Sequence, residues 1–69
     1  MTKYLIPYTY TALNAEHLPK VGISSCVIEA DKITRDVIYN VAKDLTKDFE
    51  EKDHTNVNIG ILGWYKFDE

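Results

Sequence analysis

An internal disulfide is closed to this chain. It has one cysteine, Cys26, in 69 residues, so no intramolecular bridge can form and no second thiol exists to share a metal. Long apolar runs are missing too. No basic start leads into a hydrophobic stretch, so no signal peptide or membrane span is expected, and the chain is expected to be soluble and cytoplasmic. Positive charge is short, with eight Lys and Arg against eleven Asp and Glu and a formal net charge of −3. Nucleic-acid binding driven by counterion release needs clustered cations, so the balance points instead to a basic protein surface as partner. Glycine and proline are few, at three and two, and no repeat or linker divides the chain. Residues 1–69 are expected to form a single domain. A domain of this length buries only about 60% of the surface that its unfolded chain exposes, so its stability is modest unless something is added.

What is present is a change of period. Lys3 to Ala12 alternates tyrosines and Ile6 with Leu5, Pro7 and threonines, the pattern of a strand. Pro7 lacks a ladder donor, and a local break is expected there. Asn14 to Lys20 is polar, ends its loop at Pro19, and reads as a mobile hairpin connection. Val21 to Ala30 forms a second strand and Val57 to Phe67 a last one. Between them, Val37, Ile38, Val41, Ala42, Leu45 and Phe49 recur at helical spacing. Thr34 is the expected N-cap and Asp36 complements the dipole in the first turn, whereas Glu50 and Glu51 oppose it at the other end, where fraying is expected.

The order β-β-α-β, joined by a right-handed crossover, predicts an α+β fold: a three-stranded, mainly antiparallel sheet in the order 2-1-3, with one helix packed on one face. The competing order 1-2-3 would put Pro7 on an edge but make one strand pair parallel, and antiparallel pairs are two- to three-fold commoner. Three strands carry apolar residues on both faces, and one helix cannot cover both. One alternating set joins Leu5, Cys26, Ile28, Leu62 and Trp64. The other joins Tyr4, Ile6, Tyr8, Tyr10, Val21, Ile23, Val27, Ile59, Ile61, Tyr65 and Phe67. The larger set is assigned to the core, which leaves Leu5, Ile28, Leu62 and Trp64 as an exposed patch of a kind that soluble monomers avoid. A bulge at Gly60 or Gly63 would switch the phase, carry Trp64 under the helix and leave Tyr65 and Tyr8 outside.

Residues able to do chemistry are sparse. His17 and His54 lie in expected loops without a ligand partner at metal spacing. Cys26, alone in mid-strand, reads as a small core residue rather than a nucleophile. Asp48, Glu50, Glu51 and Asp53 are interleaved with lysines, as on a solvated helix face. The Gly60-Ile-Leu-Gly63 spacing matches a phosphate-clamping G-x-x-G loop but falls within a strand without flanking cations. The chain is therefore expected to be no enzyme and to need no cofactor or metal. The partner-contact candidates are Leu5, Tyr8 and Trp64 on the sheet, with Asp44, Asp48 and Glu51 on the helix.

The segments Lys3-Tyr4-Leu5-Ile6-Pro7-Tyr8 and Gly22-Ile23-Ser24-Ser25-Cys26-Val27-Ile28-Glu29, followed by a charged helix and Ile59-Gly60-Ile61-Leu62, loosely resemble small β-β-α-β accessory proteins of bacteriophages and prophages. Proline at position 7 departs from that pattern. The resemblance implies an inhibitor or adaptor that binds a host protein, such as a defence nuclease or transcription component, in the host cytoplasm, and it assigns no functional residue. Two other readings stand beside it. One is a homo-oligomeric structural or ligand-sequestering protein with sheets packed face to face or edge to edge. The other is a single-stranded nucleic-acid binder that stacks bases on sheet aromatics, a reading weakened by the missing basic groove.

Overall fold

Asn14 closes the first hairpin. Its side-chain Oδ1 accepts hydrogen bonds from the backbone N–H groups of Glu16 (2.9 Å) and Leu18 (3.0 Å), and its own N–H donates to the Leu18 carbonyl at 2.9 Å. His17 takes the left-handed conformation at φ 62°, as the last residue of a three-residue hairpin loop commonly does. The connection expected to be mobile is thus shorter than Asn14 to Lys20 and tied by its own polar groups. It sets the register of β1 (Thr2–Leu13) against β2 (Pro19–Ala30), which pair antiparallel without a bulge from Thr2 opposite Ala30 to Leu13 opposite Pro19. The computed structural model describes residues 1–67. After the hairpin come α1 (Arg35–Glu51), β3 (Thr55–Ile61) and β4 (Tyr65–Phe67).

The sheet has the order β2-β1-β3, with β4 also paired to β1, and every pairing is antiparallel. The expected α+β architecture and strand order are therefore present, with one addition: the last strand is two strands. Pro7 accounts for the break. The Leu62 N–H donates to the Pro7 carbonyl at 2.9 Å, so the backbone polar groups of Pro7 face the β3 side, where an ordinary residue would also offer an N–H. Residues 62–64 leave the ladder at this point, with Gly63 at φ 152°, a conformation that L side chains rarely adopt. A proline is thereby accommodated in a central strand, because the ladder is interrupted beside its missing donor.

The interruption also reverses the alternation. Tyr8 and Tyr10 stand opposite Ile61 and Ile59, whereas Leu5 stands opposite Tyr65 and Lys3 opposite Phe67. Odd-numbered residues of β3 therefore share a face with the even-numbered residues of β1, and odd-numbered residues of β4 share the other face. A second irregularity lies between Thr11 and Leu13, opposite Asn58 and Thr55. Asn56, at φ 52°, supplies the additional residue there.

Helix α1 starts as its sequence requires. The Thr34 hydroxyl accepts from the Val37 N–H at 3.3 Å, and Asp36 lies in the first turn. The far end, where fraying was expected, closes in a Schellman motif. The His54 N–H bonds to the Phe49 carbonyl and the Asp53 N–H to that of Glu50, both at 3.1 Å, with Asp53 at φ 64°. The contact that usually accompanies this motif is His54 edge-on against Phe49, ring centres 5.4 Å apart.

The core is thin. Ile6, Tyr8, Ala12 and Val41 are the buried hydrophobic residues, and Tyr10 adds a ring contact to Phe49 at 5.0 Å. A helix of 17 residues spans about 26 Å at ~1.5 Å per residue, and so cannot cover a molecule 40 Å long. The radius of gyration, 12.9 Å, exceeds the ~11 Å of a compact domain of this length. The accessible surface, 5105 Å², is roughly 650 Å² above the ~4450 Å² expected for its mass.

Candidate partner-binding surface

Hairpin parity decides which side chains the helix leaves uncovered. Five residues separate Leu13 from Pro19, so even-numbered residues of β2 lie beside even-numbered residues of β1. Cys26 and Ile28 are therefore on the helix side, opposite Ile6 and Tyr4. Val21, Ile23 and Val27 project from the open side with Thr11, Thr9 and Leu5. This corrects the expected grouping in β2, where Val21, Ile23 and Val27 were assigned to the core, and in β4, where Tyr65 and Phe67 were. Val21 and Ile23 are 72% and 74% exposed.

The open face is organised by rows. Val27, Leu5 and Tyr65 lie side by side on β2, β1 and β4, within direct cross-strand contact distance. Val27 is 51% and Tyr65 60% exposed, while Leu5 between them is half-buried. The next row toward the termini is Glu29, Lys3 and Phe67. In the other direction Pro7 and the exposed Leu62 extend the patch, Leu62 falling on this side by alternation from Ile61. Ile23 follows beside Thr9. The Thr9 hydroxyl reaches the Gly60 carbonyl at 3.4 Å, and a Cβ at Gly60 would lie 2.7 Å from that oxygen. A glycine here keeps the floor of the face flat.

The six candidate contact residues do not form one site. Leu5 belongs to the open face. Trp64 is half-exposed in the break between β3 and β4, next to Tyr65. Tyr8 is buried at 8% exposure on the helix side, because its even position puts it beneath α1. It is therefore removed from the contact set, and the expectation that a phase switch would expose it is overturned: the switch at Gly63 redirects only the chain that follows. Asp44, Asp48 and Glu51 are exposed and follow one another at i, i+4 and i+7 along a single stripe of α1. That stripe is on the helix layer, on the opposite side of the sheet from Leu5 and Tyr65.

Burial pushes the Cys26 thiol above its ordinary value, which keeps it protonated and a poor nucleophile. His54 packs on Phe49 with its Nδ1 buried and without a hydrogen bond. Among the described residues no three His, Cys, Asp or Glu side chains are grouped to hold a metal ion, and no helix is long and apolar enough to cross a membrane. One concavity, ≈ 850 Å³, is an open groove along α1 between Tyr39, Lys43, Lys47 and Glu50. It is a gap between solvated side chains of mixed charge. A smaller one of ≈ 130 Å³ lies between Tyr8, Leu45, Asp48, Phe49 and Lys52.

No protein-family model, curated protein or solved structure matches this chain. Its function has to be argued from its own surfaces.

Proposed function

We propose that this chain is a small protein-binding module that holds its partner on the open face of the sheet, as an inhibitor or adaptor of a host protein. The observation that carries this reading is the row Val27, Leu5 and Tyr65, extended by Ile23, Leu62 and Phe67, on a sheet face that no other element covers among the described residues. Apolar and aromatic groups on a flat, pre-formed surface are the usual anchors of protein recognition, since they bury area without losing much side-chain freedom. Tyr65 and Trp64 are the aromatic anchors and Val27 and Ile23 the aliphatic ones. The acidic stripe Asp44, Asp48 and Glu51 favours a partner with a basic surface. The assignment to phage accessory proteins rests on the sequence resemblance alone.

The test uses the exposed anchors, which can be changed without emptying the core. Wild-type protein and the double variant Leu62→Glu, Tyr65→Ser are immobilised and exposed to bacterial lysate, and retained proteins are compared by mass spectrometry. The reading requires a specific protein held by the wild type and lost by at least tenfold in the variant, with unchanged circular dichroism. Equal retention by both overturns it.

A further inference from the structure

A second surface, independent of the open face, lies along the outer edge of β2. The Pro7 carbonyl faces β3, so the alternate residues of β1 direct their backbone groups to β2. Their partners Gly22, Ser24, Cys26 and Ile28 turn inward to meet them. The N–H and C=O groups of Val21, Ile23, Ser25, Val27 and Glu29 therefore point outward, and among the described residues no strand pairs with them. Natural edge strands are blunted by charge, proline, a bulge or short length. This one has twelve residues, pairs with β1 without a bulge, and carries no charge from Val21 to Ile28. Pro19, with no N–H to lose, stands at its very start.

We propose that the occupant of this edge is a second copy of the chain, paired antiparallel about a two-fold axis at Ser25, so that one sheet runs through the dimer. The edge is self-complementary in that arrangement. Ile23 of one copy stands opposite Val27 of the other, outward-facing amides meet outward-facing carbonyls, and the Lys20 end of each strand meets the Glu29 end of its mate. Like charges meet in neither place. Edge pairing leaves the open face uncovered and joins the two faces along Val21, Ile23 and Val27, so it is compatible with hetero-partner binding but does not depend on it.

Sedimentation equilibrium over a dilution series, together with amide hydrogen exchange on the wild-type protein, tests the proposal. The expected result is a species of twice the 8.0 kDa monomer mass, with the amides of Ile23, Ser25 and Val27 protected at high concentration and losing protection on dilution. Ile23→Pro removes an outward N–H without touching the β1 ladder, and Ile23→Lys keeps that N–H but adds an edge charge. Both should be monomeric with a native spectrum, while Tyr65→Ser should remain dimeric. A wild-type monomer at every concentration overturns the proposal. So does a dimer whose outward β2 amides exchange as fast as loop amides, or one that Tyr65→Ser dissociates and Ile23→Lys does not, since these mark packing through the open face.

Discussion

Three non-glycine residues in the left-handed region mark where local chemistry, rather than packing, shapes the chain: His17, Asp53 and Asn56. Asn56 is favoured there and His17 is held by the Asn14 network. Asp53 is the least well matched. It occupies the position of a Schellman motif that glycine usually fills, and its carboxylate lies at the negative end of the helix dipole, in a last turn without a basic residue. Asp53→Gly removes both the steric and the electrostatic penalty while keeping the 3.1 Å bond to the Glu50 carbonyl. With a left-handed cost of roughly 1–2 kcal/mol removed and the ~0.5–1 kcal/mol entropic cost of a glycine added, it is expected to stabilise the fold by about 0.5–1 kcal/mol. Urea denaturation would register this as a higher midpoint at unchanged slope, and a lower midpoint would show that the Asp53 side chain itself stabilises the turn.

At the scale of elements, the decisive position is Gly63. Its φ of 152° lets the chain leave β3 and rejoin β1 as β4 in the opposite phase. A Cβ there meets only ordinary contacts with the Tyr65 ring, 3.8 Å from its hydroxyl, so the penalty on Gly63→Ala comes from the backbone. That penalty is roughly 1–3 kcal/mol for a residue held in such a region, enough to detach a three-residue strand. The variant should keep α1 and the hairpin but release β4, shifting Trp64 emission to the red with little change in far-ultraviolet dichroism. An unchanged emission maximum would mean that β4 holds without the glycine. The same position shows what could be read in advance. The helix, its N-cap and the strand order were legible because each depends on a local pattern or on general topology. The faces of β2 and β4 were not, because alternation along a strand says nothing of its phase relative to a neighbour. In β2 that phase depends on the number of residues in a loop whose ends are set by the Asn14 side chain. In β4 it depends on a two-way accommodation between Pro7 and Gly63, more than fifty residues apart. Tyr8 followed from the same logic. Its even position makes it core, and only the assumed side of the switch had suggested otherwise.

For the whole molecule, the two proposed contact surfaces lie on opposite sides of one sheet, and their separation determines what charge can do. The stripe Asp44, Asp48 and Glu51 is exposed on the helix layer, and a helix with its side chains is about 10–12 Å across, more than the Debye length of ~8 Å at physiological ionic strength. A partner on the open face therefore feels the stripe during approach at low salt and hardly at all once bound. Reversing all three charges with Asp44→Lys, Asp48→Lys and Glu51→Lys makes the net charge positive. Stability should barely move. A lysine at position 51 suits the helix C-terminus by about 0.3–1 kcal/mol, while lysines at 48 and 51 stand four residues from Lys52 and Lys47 and lose ~0.2–0.5 kcal/mol each. For a basic partner captured on the open face, the triple variant should slow association several-fold at low salt and by less than about twofold near physiological salt, where screening removes most of the field. Dissociation should be unchanged at both. Biosensor kinetics at two ionic strengths separate the cases. Faster dissociation would place the stripe inside the interface, and the partner would then have to wrap around the edge of the sheet to reach both surfaces.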